Sequence, residues 1–168
     1  MRRPRSLLLM SVLVTGLLTA ACGHDGPTAP TPAGPGPLTT PALDAMTGAL
    51  GDEFRAEAIY DGVVADLGAW PPFTNVLTAE QRHSASIAAL FSARGLAVPL
   101  NPWTSTTVPH FTTVPAACAA GVAAERDNVA MYDRFLTLDL PRDVRQVFEN
   151  NRAASVFNHL PAFERCAP

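Results

Sequence analysis

The 168-residue chain contains no lysine; all twelve of its permanent cations are arginines. They form no cluster beyond the N-terminus, and fifteen carboxylates leave a formal charge of −3. That balance argues against nucleic acid and against anionic lipid surfaces as partners, because both are bound through dense positive charge. Also missing are a Ser-His-Asp set, a Gly-rich phosphate loop, a Cys-x-x-Cys pair and any solenoid repeat. The longest apolar stretch, Leu7 to Leu18, is too short and wrongly flanked for a lasting membrane span.

That stretch reads instead as the core of an export signal over 1–21, with Arg2, Arg3 and Arg5 as its basic leader. Thr19, Ala20 and Ala21 then precede Cys22 and Gly23, a lipobox-like order with Leu18 four residues before the cysteine. The expectation is lipidation of Cys22 and a domain anchored to a membrane of the cell envelope, facing the periplasm or the exterior; ordinary cleavage to a free protein is the rival. Residues 22–42 are rich in proline and threonine and read as an extended tether. Residues 43–168 are then one domain of ordinary size. Without the three leader arginines the formal charge moves three units, from −3 to −6. Cys118 and Cys166 remain as a pair in an exported protein, where disulfides persist.

The apolar period predicts four helices. The first covers about 43–67, with Leu43, Met46, Leu50, Glu53, Glu57, Tyr60, Val64 and Leu67 on one stripe. The second starts near Pro72 and stops at Gly95, with Glu80 and His83 on its stripe. Residues 96–114 carry Pro99, Pro102 and Pro109 and no helical period. A connection of that length can cross a whole bundle, as in ferritin-like folds. The third helix covers about 115–138 with Cys118, Val122, Glu125 and Tyr132 in line. The fourth opens near Asp143 and carries Phe148, Ser155, His159 and Cys166; Pro161 is expected to kink it just after His159.

Metal-ligating residue types therefore stand on the inner face of all four helices. Glu80-x-x-His83 puts a carboxylate and an imidazole on one face. Buried carboxylates are costly unless paired or metal-bound. The candidate ligands are Glu53 or Glu57, with Glu80, His83, Glu125 and His159. Carboxylate with imidazole suits iron, manganese or zinc. Two Glu-x-x-His helices plus two further glutamates make the di-iron bundle pattern. Val156, three residues before His159, leaves one bridging acid missing, so a mononuclear centre and a singly bridged dinuclear one both stay open. The rival reading pairs Glu53 or Glu57 with Arg152. Tyr60 and Tyr132 read first as core aromatics, with a redox or ligand-supporting role as the alternative.

Register links the parts. Cys118 precedes Glu125 by seven residues, and Cys166 follows His159 by seven. With helices three and four antiparallel, levelling Glu125 with His159 also levels the cysteines. Such a disulfide would contribute ~4 kcal/mol in the chain-entropy picture.

The stretches from Asp52-Glu53 to Tyr60, Pro72-Phe73 to Val76, Ala79 to His83, Val122 to Tyr132 and Asn158-His159 to Phe163 resemble an uncharacterised bacterial family, catalogued as domain of unknown function 2202. The resemblance covers about 43–166. It implies a ferritin- and rubrerythrin-like four-helix bundle with Glu53, Glu80, His83, Glu125 and His159 as ligands, and no reaction. The expected function is an exported, lipid-anchored protein with a non-haem iron or manganese centre and oxidase or peroxide chemistry. The alternative is a non-catalytic envelope adaptor or metal carrier. A homodimer is a candidate assembly.

Overall fold

The computed structural model describes residues 35–168. The signal, Cys22, His24 and most of the tether lie outside the described residues. Those described fold into helices with no strand among them: α1 (Thr40–Leu67), α2 (Pro71–Ser92), α3 (Val114–Phe135), α4 (Arg142–Ala154), a π turn (Ser155–His159) and α5 (Leu160–Glu164). The last three form one continuous rod, so the molecule has four helical rods. None of the described helices is long and apolar enough to cross a membrane.

Local chemistry sets the ends. α1 starts three residues before the expected 43. Thr39 accepts a hydrogen bond from the Ala42 amide at 3.3 Å, and Pro41 sits in the first turn, where its missing N–H costs nothing. Gly68, at φ 88°, ends the helix in a conformation that disfavours a side chain. Thr113 caps α3 in the same way as Thr39 caps α1. α3 ends at Phe135, short of the expected 138, in a turn held by Arg145 donating to the Leu136 and Leu138 carbonyls.

The fourth rod departs most from expectation. Just before Pro161 the regular α-helix gives way to a π turn. Proline has no N–H to offer the carbonyl four residues back. The rod widens just before it instead, and the Leu160 amide reaches the Ser155 carbonyl, an i→i−5 bond. This turn brings Ser155, not Val156, onto the buried face beside His159.

The apolar interior falls into two clusters. One joins Met46 and Leu50 of α1, Ile87 and Phe91 of α2, Tyr132 of α3 and Phe148 of α4. The other joins Ile59 and Tyr60 of α1, Phe73 of α2, Cys118 of α3 and Phe163 of α5. Hence α1 and α2 are antiparallel, as are α3 and the fourth rod. The end of α2 and the start of α3 lie in opposite clusters, so residues 93–113 run the length of the bundle, and Val108 packs into the second cluster on the way. Between Leu50 and Ile59, Val76 and Ile87, Cys118 and Tyr132, and Phe148 and Phe163 stand Glu53, Glu80, Glu125 and His159. A polar layer thus separates the two clusters.

Candidate metal centre

Each rod delivers its polar residue to that layer. Glu53 is 0 % exposed, Glu80 and Glu125 2 % and His159 4 %, while the His83 side chain is 12 % exposed. Glu80 lies in the middle. Its Oε2 is 2.8 Å from His83 Nδ1, and its Oε1 is 3.0 Å from His159 Nδ1. Glu53 Oε2 lies 3.5 Å from His83 Nδ1, and Glu125 Oε2 lies 3.4 Å from His159 Nδ1. Two three-residue groups result, Glu53–Glu80–His83 and Glu80–Glu125–His159, with ligand atoms of each group all within 4.8 Å. They share Glu80. The imidazoles stack with ring centres 5.4 Å apart.

The outer carboxylates are held crosswise. The Tyr60 hydroxyl on α1 donates to Glu125 Oε1 on α3 at 2.7 Å. The Tyr132 hydroxyl on α3 donates to Glu53 Oε1 on α1. Each tyrosine stands seven residues after its own helix's glutamate, so the two halves mirror one another. Their rings also pack in the core, Tyr60 against Phe163 and Tyr132 against Phe148. Each tyrosine is thus a core aromatic that also donates to a buried glutamate.

The mirror fails at one place. α2 has Glu80 one turn before His83, whereas the fourth rod has Ser155 one turn before His159. Ser155 Oγ donates to Asn128 Oδ1 at 2.9 Å, and Asn128 Nδ2 donates to Asp52 Oδ2 at 2.9 Å. Asn151 Nδ2 donates to the Tyr132 hydroxyl at 3.2 Å. Sequence reasoning missed these asparagines. Their only signal was a polar residue on a seam, with Asn128 three residues after Glu125.

Three buried acids and two imidazoles in one layer must share charge. Burial first, and then the charge of Glu80, push the Glu53 carboxyl up to about 7. Burial opposes the ionised form of Glu80 as well, but contacts with His159, His83 and Glu53 outweigh it and lower its pKa. Burial alone would lower His83, yet Glu53 and Glu80 carry it up to about 10. Against the same burial, Glu125 and Glu80 raise His159 to about 9. Without metal, protons on Glu53, His83 and His159 balance the layer.

Hydrogen bonds do not complete that balance. Glu53 Oε2, Glu125 Oε2 and His159 Nδ1 are buried without a partner. His159 Nδ1 is close enough to Glu80 to attract it, but its N–H direction meets neither carboxylate. Buried polar atoms are rarely left this way, and these unpaired atoms all face the same layer. Ligand atoms around one ion with bonds of about 2.1 Å sit roughly 3.0–3.4 Å apart. The histidine–carboxylate separations of 2.8–3.5 Å fall around that range, so the residues fit a metal.

Other expectations separate here. Glu57 is half-buried and outside both groups; Glu53 is the α1 residue in the layer. Arg152 reaches no buried carboxylate. Its Nε lies 2.6 Å from Asp133 Oδ1 at the surface, because the helix turn that buries Asn151 points the next residue outward. His110 pairs with Asp66 at 2.8 Å, away from the layer. Cys118 and Cys166 are joined, with Cα atoms 5.7 Å apart across 48 residues, in the register that levels Glu125 with His159.

No family model and no curated protein matches the chain. Among solved structures, it is similar to the hypothetical protein MJ0754 from Methanococcus jannaschii DSM 2661, with a TM-score of 0.68 and 17 % identity over 82 % of this chain and 83 % of that one. At such identity the likeness carries the fold alone: an all-α protein of four helical rods.

Proposed function

We propose that this is a ferritin-like protein whose bundle holds a non-haem iron or manganese centre, dinuclear with Glu80 as its single bridging carboxylate. One observation carries the reading: the two oxygens of Glu80 face two different histidines, each flanked by its own buried glutamate oxygen without a donor. Carboxylate and imidazole together favour iron or manganese over calcium or copper(I). Bound there, such ions would supply one-electron chemistry toward oxygen, peroxide or ferrous iron. His83 and His159 would bind neutral through Nδ1, with Glu53 and Glu125 as terminal ligands. Tyr60 and Tyr132 keep their phenolic protons, since burial first and then the neighbouring glutamates push both pKa values well above the usual phenol range. As donors they orient the terminal carboxylates and leave the second oxygen of each directed at the layer. The adaptor reading loses its main support, because Arg152 is engaged elsewhere.

The motif resemblance to the domain of unknown function 2202 family implies the same ligand set, although no family model matches the chain. Export and a lipid anchor at Cys22 complete the proposal and place the centre at the cell envelope. Elemental analysis of the purified mature protein tests it. Stoichiometric iron or manganese is expected, and Glu80→Ala and His159→Ala should each abolish it. A metal-free protein that also shows no thermal shift on anaerobic ferrous loading would end the reading.

A further inference from the structure

A cleft of about 780 Å³ opens between α2 and the fourth rod and reaches His83 and His159. That size falls within the range of small-molecule sites. Val76, Ala79, Ala162 and Phe157 supply apolar wall, and Phe157 is 73 % exposed, a large apolar residue left to solvent. Arg82 and Arg165 also line the cleft, and no carboxylate does. In a chain of net negative charge, that is a local reversal of sign. Both arginines are exposed, which puts them at the mouth, while the two histidines are its most enclosed polar groups. Among the described residues neither arginine is paired with a carboxylate, which leaves both guanidinium groups available to a ligand.

The fourth rod explains why the cleft lies here. The π turn carries Phe157 into the cleft wall, and the turn before His159 brings no acid to that side.

We propose that this cleft binds an organic anion, a carboxylate with an aliphatic body. Arg82 and Arg165 hold the charged end at the mouth, and Phe157, Val76 and Ala162 cover the body as it points toward His83 and His159. Guanidinium–carboxylate pairing supplies orientation, and apolar burial supplies affinity. As a substrate of the metal centre this ligand rests on the reading above; as a ligand it stands on the cleft alone.

Calorimetric titration of the manganese-loaded mature protein with octanoate tests the proposal, with metal content measured on the same samples. One octanoate per chain is expected. Octan-1-ol should bind at least about tenfold more weakly. The R82Q/R165Q double variant should lose about tenfold in octanoate affinity with its manganese content unchanged, and Phe157→Ala should weaken octanoate and octanol alike. Manganese uptake without octanoate binding, or equal octanoate binding by the double variant, would overturn the cleft and leave the metal centre intact. Octanoate binding with these losses in a protein that takes up no metal would overturn the metal centre and uphold the cleft as a ligand site.

Discussion

At the scale of single residues the proposed metal site sets protons against cations. Raised histidine pKa values, to about 10 for His83 and about 9 for His159, mean that both rings are protonated at neutral pH in the metal-free protein. Their contribution to stability is fully present below the unfolded histidine range and is lost as pH rises through 9 and 10. Glu53, raised to about 7, adds stability only while protonated, so its share falls away as pH rises through 7. Glu80, lowered, works in the other sense and loses its share as pH falls below the ordinary carboxylate range. The metal-free protein should therefore lose thermal stability steadily from pH 7 to 10. Ions must displace these protons, so loading at pH 7 should release about two to three protons per filled cluster, and affinity should climb with pH. A pH-stat titration measures the release; none at all would contradict ligation by the histidines. Tyr60→Phe removes the donor to Glu125 Oε1 and leaves that carboxylate with no hydrogen bond, only the charge of His159 at 3.4 Å. Denaturant unfolding of the metal-free variant should show a loss of about 1–3 kcal/mol.

At the scale of elements, the caps and breakers are local and the packing is not. Thr39, Pro41 and Gly68 set the ends of α1 from its own sequence. The approach of α3 to α5 depends instead on a glycine whose role only contact reveals. A Cβ at Gly121 would stand 2.8 Å from the Phe163 ring, which is itself fully buried against Tyr60. Neither ring has room to yield. Gly121→Ala should cost about 1–3 kcal/mol in denaturant unfolding by overpacking. It should also weaken metal binding, since α5 follows directly on His159; unchanged stability would show that the helices separate freely there. The π turn belongs to this scale too. Pro161 signalled a disturbance in the fourth rod, and the structure shows it as a widened turn between Ser155 and His159.

At the scale of the whole molecule, one polar layer ties all four rods together, and its candidate ligands come together as a set only in the folded state. Loading should raise the melting temperature by linkage, worth about 2.7 kcal/mol when free metal is a hundredfold above its dissociation constant. A chelator should reverse the rise, and calorimetry with and without it checks both directions. Much of this arrangement was legible beforehand. Helix number, the stripes bearing Glu53, Glu80, Glu125 and His159, the long connection and the matched seven-residue offsets all follow from a period of 3.6 residues and from turn chemistry, which neighbouring residues encode. The helical period left Glu53 and Glu57 both open and only the motif resemblance favoured Glu53; sending Arg152 to Asp133, crossing the tyrosines to the opposite helices and opening a cleft flanked by arginines needed the bundle itself. Local sequence determines which face of a helix is presented. Which groups on that face meet depends on how far each helix slides and turns against the others, and packing across the whole interior decides that.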